Sequence, residues 1–151
     1  MVLDSSSLIS LARAGLLQLI ARLDEPRTIP DVVWREVVVE GRARQYPDAF
    51  AIGAVLEPPG ATPQTTAGGE TVDEVVLQAA VIDGTLLAND LALGRRARNL
   101  GARWLRSADL IVLLAATGRA HLEEARASIQ ALWSAGRITE ALRDDYLRRL
   151  E

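Results

Sequence analysis

Two short apolar segments, "VLD" at 2–4 and "TLLAND" at 85–90, each run straight into a carboxylate, Asp4 in the first and Asp90 in the second. Short apolar segments of this kind suit strands of a parallel sheet buried on both faces. A charge at the end of a buried strand is costly unless it is paired or coordinated. Two such ends favour a fold that gathers its acids around a cation.

The segments between have helical periodicity. After the cap-forming serines of "SSSLISLARAGLLQLIARL", Leu8, Leu11, Leu16, Leu19 and Leu23 recur at helical spacing. "RTIP" reads as a second strand stopped by Pro30, and "DVVWREVVVEG" as a helix from near Asp31 to Gly41. The stretch 42–69 holds Pro47, Pro58, Pro59 and Pro63 and reads mostly as loop, with a strand at "AVLEP". "ETVDEVVLQAAVIDG" is an amphipathic helix with apolar residues at 72, 75, 76, 79 and 80. "TLLAND" is then a strand, "LALGRRARNLG" a helix ended by Gly101, and "ARWL" a strand. Ser107 caps "ADLIVLLAATG", and helices near 120–134 and 139–150 finish the chain. Alternating strands and helices predict an α/β fold with a parallel sheet. Ligands in such folds bind beyond the carboxyl ends of the strands, where strand order reverses.

Composition removes several chemistries. At 151 residues the chain suits a single domain. It has no cysteine, so disulfides and thiolate sites are excluded, and its one histidine, His121, excludes sites needing two. All 17 basic residues are arginine, so no catalytic lysine exists. Phosphoaspartate receivers and aspartate-nucleophile phosphatases need that lysine, and "DSSSL" lacks the glycine-rich turn of a dinucleotide site. The longest apolar run, "LIVLLAA", is too short to span a bilayer, and no basic-then-apolar leader opens the chain, so a cytoplasmic location is expected. Net charge is −3, yet 91–108 holds Arg95, Arg96, Arg98, Arg103 and Arg106 with no acid. Such a cluster can hold phosphate.

Asp4 and Asp90 each suit either an N-cap or a metal ligand. At about 100° per residue, Asp73 falls at the border of the apolar stripe while Glu74 points to solvent. Glu70, at the helix start after Gly68 and Gly69, is a second candidate there, or a helix-dipole acid. Glu36 and Glu40 share a partly apolar helix face, as ligands or as a surface pair near Arg35 and Arg44. Carboxylates without histidine or cysteine suit Mg²⁺ or Mn²⁺ rather than zinc. Such a cation activates a water and neutralises a phosphoryl oxygen, which points to phosphodiester hydrolysis. Arg95, Arg96 and Arg98 either hold flanking phosphates of a nucleic acid or form a solvated helix face.

Laid out in this order, the chain resembles the PIN-domain nucleases, in particular the VapC-like branch of prokaryotic toxin–antitoxin systems. "VLDSSSLISLARAGLL" is similar to the family's opening, an aspartate and a small hydroxyl residue ending the first strand. "IPDVVWREVV" is similar to the segment bearing the family's glutamate, here Glu36. "DEVVLQAAVIDGTLLAND" resembles the aspartate–helix–strand–aspartate pattern, giving Asp73 and Asp90. "GGE" and the tail "ASIQALWSAGRITEALRDDYLRRL" resemble one sub-branch, and Asn89 stands where relatives often carry a hydroxyl residue or a second aspartate.

The resemblance spans nearly the whole chain. It implies a Rossmann-like three-layer α/β/α sandwich, one PIN-like domain over 1–151 with a helical C-terminal extension from about 120. It further implies Mg²⁺- or Mn²⁺-dependent cleavage of single-stranded RNA by Asp4, Glu36, Asp73 and Asp90, with Asp4, Asp73, Asp90 and Glu70 as metal ligands. Ser6 joins Arg95, Arg96 and Arg98 as a nucleic-acid contact. A homodimer neutralised by an antitoxin protein is the implied biological form. The alternative is a catalytically inactive PIN-like module that binds RNA or protein.

Overall fold

The computed structural model describes residues 1–56, 62–64 (backbone alone) and 71–151. Glu70, Gly68 and Gly69 lie outside the described residues. Five parallel strands form one sheet in the order β3-β2-β1-β4-β5. They are β1 (Val2–Leu3), β2 (Thr28–Pro30), β3 (Thr62–Gln64), β4 (Thr85–Leu87) and β5 (Arg103–Leu105). Each is only two or three residues long, and Val2, Leu3, Ile29, Leu86 and Leu87 are fully buried. Strands this short are held by their coverings more than by their ladders.

The chain steps from β1 to β2 to β3 in one direction, then crosses back to β4 and continues to β5. Right-handed crossovers therefore place α1 (Ser5–Arg13) and α4 (Pro47–Leu56) on one face, where they pack together. They place α5 (Val72–Asp83) and α6 (Leu91–Asn99) on the other, also in contact. α7 (Ser107–Ala116) packs on α1 and carries α8 (Leu122–Ser134) and α9 (Glu140–Arg149). The expected α/β sandwich with a short parallel sheet is the fold found.

Four local expectations are corrected. The first helix does not run unbroken to Leu23: α1 stops at Arg13, Gly15 takes φ +71°, and a 3₁₀ turn covers Leu17–Arg22. The predicted strand at "AVLEP" falls instead on the last turn of α4, while Glu57 and Pro58 lie outside the described residues. Pro47 opens that helix, where its missing N–H costs nothing, and Ala49, Ile52, Gly53 and Leu56 are buried at helical spacing. Gly41 does not end the second helical segment. α2 (Asp31–Trp34) passes through a π turn, Arg35–Glu40, into α3 (Gly41–Ala43), and a Cβ on Gly41 would lie 2.6 Å from that of Ala49. Ser107 is not the cap of α7: Asp109 accepts a hydrogen bond from the Arg106 amide at 2.9 Å.

Candidate active site

Strand order reverses between β1 and β4, so the carboxyl ends of these neighbours form a topological switch point. Asp4 leaves β1 there, and Asn89 and Asp90 follow β4. Both aspartates are helix N-caps. Asp4 Oδ2 accepts from the Ser6 amide at 3.2 Å, and Asp90 Oδ1 accepts from the Leu93 amide at 2.9 Å. Sequence left cap and ligand open; capping engages one oxygen of each carboxylate.

Ser6 joins the two strand ends. Its hydroxyl donates to Asp4 Oδ2 at 2.6 Å and accepts from the Asn89 amide at 2.9 Å and the Asp90 amide at 3.3 Å. Ser7 reinforces the joint, with its hydroxyl in reach of the Asp4 and Leu87 carbonyls at 2.8 and 2.9 Å. One wall is fixed by Asn89, whose amide group donates to Ser107 Oγ at 3.0 Å and accepts from the Ser107 amide at 2.8 Å. Sequence does not identify this doubly bonded asparagine as a structural element. Its polar side chain just before a strand-end acid was the available signal.

Two further acids converge on Asp4. Glu36 projects from the π turn, and Asp73 sits in the first turn of α5. Asp4 is 4 % exposed, and burial pushes its carboxyl above the usual carboxylate range, with the Asp73 charge adding to the rise and the Ser6 hydrogen bonds opposing it. Glu36 is also raised, first by desolvation, then by the charges of Asp4, Glu40 and Asp73. Asp4, Glu36 and Asp73 therefore share one electrostatic neighbourhood, and Ser6 brings the backbone of Asp90 to its edge. Glu74, expected in solvent, is exposed and accepts from the Thr71 amide at 3.0 Å in a capping box. Arg95, Arg96 and Arg98 lie exposed on α6.

The donor chemistry, oxygen alone on one buried carboxylate, Asp4, and the exposed carboxylates whose charges it feels, suits a hard divalent cation. Among the described residues, however, no three of the candidate side chains already stand close enough to hold an ion. The acids are gathered but not closed around a centre. Asp31, in the first turn of α2, keeps Oδ1 buried without a hydrogen-bond partner among the described residues.

An all-parallel α/β sheet with Asp4 and Asp90 at the strand ends of its switch point defines the class: an α/β protein of the kind that binds ligands beyond the carboxyl ends of its strands. The family model described as PIN domain matches residues 1–151, and the chain belongs to that family. PIN domains are generally metal-dependent nucleases, so a nuclease fold and a nucleic-acid substrate follow at that level. No curated protein and no solved structure matches the chain. Among the described residues no helix is long and apolar enough to cross a membrane.

Proposed function

We propose that the chain is a Mg²⁺- or Mn²⁺-dependent endoribonuclease cleaving single-stranded RNA, the VapC-like toxin of a toxin–antitoxin pair. The observation that carries this is the convergence of Asp4, Glu36 and Asp73 beside the Ser6-linked Asp90. When bound, the cation supplies water activation and neutralises charge building on a phosphoryl oxygen. Asp4, Asp73 and Asp90 would hold it, with Glu70 as a fourth ligand and Glu36 as a further catalytic acid. Ser6 keeps the Asp4 and Asp90 strand ends at fixed separation and contacts the nucleic acid. Arg95, Arg96 and Arg98 hold the flanking phosphates by donating guanidinium N–H bonds from the exposed face of α6.

In the same proposal 1–151 is one PIN-like domain with a helical extension, acting in the cytoplasm as a homodimer restrained by an antitoxin protein. The second reading, an inactive RNA- or protein-binding module, draws support from the absence of a closed three-acid cluster among the described residues.

Calorimetric titration with Mn²⁺ separates the two. The nuclease reading expects binding to the wild type, weakened in Asp4→Asn, and loss of single-stranded RNA cleavage in Asp90→Asn. No Mn²⁺ binding to the wild type, or full cleavage by Asp90→Asn, sinks it.

A further inference from the structure

A cavity of about 300 Å³ lies beside the switch point, between the start of α6, the start of α7 and the turn joining α8 to α9. Its volume is at the lower end of small-molecule sites, about 300–1,000 Å³. Asn89 and Leu91 line it, and the residue between them is Asp90. The cavity therefore begins one residue to either side of a carboxylate in the proposed active site.

Its lining combines apolar surface, including Leu91 and Ile138, with two guanidinium groups, Arg106 and Arg137, and contains no acid. Arg137 is anchored at 3.1 Å by donating its Nε–H to the buried Ser10 hydroxyl. Arg106 lies over the Trp104 ring, 5.0 Å from its centroid. Both cations are thus held in place before any ligand arrives, which lowers the entropy lost on binding. Apolar walls accommodate a planar base, and fixed guanidinium groups donate hydrogen bonds to phosphate oxygens.

We infer that this cavity seats one nucleotide of the single-stranded RNA, next to the scissile phosphate. The inference rests on the nuclease reading above and deepens it: the unit bound here would set the sequence preference of cleavage. The α8–α9 turn, contributed by the C-terminal tail, would then be a substrate wall as well as a structural support.

Leu91→Glu and Arg106→Gln test it. Leu91 is 45 % exposed, and a glutamate in the first turn of α6 is favoured by the helix dipole, so that variant should fold. Binding of a fluorescent single-stranded RNA is read by anisotropy in EDTA, cleavage in Mn²⁺, and methyl NMR follows Leu91 and Ile138 during titration with the four nucleoside monophosphates. Each variant is expected to lose about tenfold in RNA affinity, and both methyl groups are expected to shift in the wild type. If the wild type cleaves RNA but neither variant loses affinity and no methyl shifts, the subsite is overturned and the nuclease reading stands. If the wild type fails to cleave yet both methyls shift, the nuclease reading falls and the nucleotide site stands. Neither cleavage nor shifts removes both.

Discussion

The surroundings of Asp4 oppose its charged form. Burial and the neighbouring Asp73 favour its protonated form, so above the ordinary carboxylate range the folded protein carries a penalty that the unfolded chain does not. Below that range both states are protonated and the penalty vanishes. Asp4→Asn keeps a capping oxygen for the Ser6 amide, since asparagine caps as well as aspartate. The variant should therefore melt higher at pH 7, by about 2–4 °C if the relief is on the order of 1 kcal/mol. The gain should shrink as pH falls toward 4. A lower melting point at pH 7 would contradict this account. Ser6 acts in the opposite sense, because its hydrogen bonds stabilise the Asp4 carboxylate while accepting two amides across the strand gap. Ser6→Ala should cost about 1–3 kcal/mol, and less in the Asp4→Asn background, because bonds to a charged acceptor are the stronger ones. A double-mutant cycle by urea denaturation measures that difference; equal costs in the two backgrounds would mean the serine is not coupled to the charge.

Between elements, α6 packs closely on β5. Trp104 donates its indole N–H to the Ala88 carbonyl at 2.9 Å, and its ring occupies the space a Cβ on Gly94 would need. Gly94→Ala gains about 1 kcal/mol in helix propensity but meets ring atoms that a hydrogen bond holds in place. Overpacking of this kind costs about 1–3 kcal/mol, so the net effect on thermal unfolding should be a loss; a stabilised variant would mean the ring moves freely. The same contrast of local and tertiary signals explains what was readable in sequence. α5, β4 and α6 announce themselves, because Val75, Val76, Ala79 and Ala80 repeat at helical spacing and Gly84 and Gly101 end their helices with positive φ. α4 does not, because the prolines and glycines of 42–69 dominate the pattern, and its buried face is defined by tertiary neighbours: α1, α3 and the π turn around it. Asp4 and Asp90 were legible as strand-end acids from "VLD" and "LLAND". The bridging of Ser6 and the pairing of Asn89 with Ser107 were not, since both join residues 18 to 84 positions apart.

The whole molecule has an unusual alkaline profile because it has neither lysine nor cysteine. Arginine stays charged throughout the accessible range, which leaves tyrosine as the side-chain type that loses a proton in alkali, and the chain has two, Tyr46 and Tyr146. Tyr46 is exposed, whereas Tyr146 is 3 % exposed on the inner face of α9. Burial, the Asp109 charge and the hydroxyl's 2.9 Å donation to Asp109 push Tyr146 up to about 12, against opposition from Arg106 and Arg149. Asp109 also accepts from the Arg106 amide at the start of α7, so this phenol ties the C-terminal helix to the element that carries Ser107 and, through it, Asn89. When the chain unfolds, Tyr146 returns to its ordinary value and releases its proton earlier than in the fold. Stability should accordingly hold below about pH 10, then fall by up to about 1.4 kcal/mol per pH unit toward pH 12. Tyr146→Phe should start lower at neutral pH, having lost the hydrogen bond, yet lack that alkaline decline. Urea denaturation at stepped pH, with tyrosinate absorbance followed in parallel in both proteins, would isolate the buried phenol that titrates at about 12. An equal decline in both proteins would mean that the tail is not held by this bond.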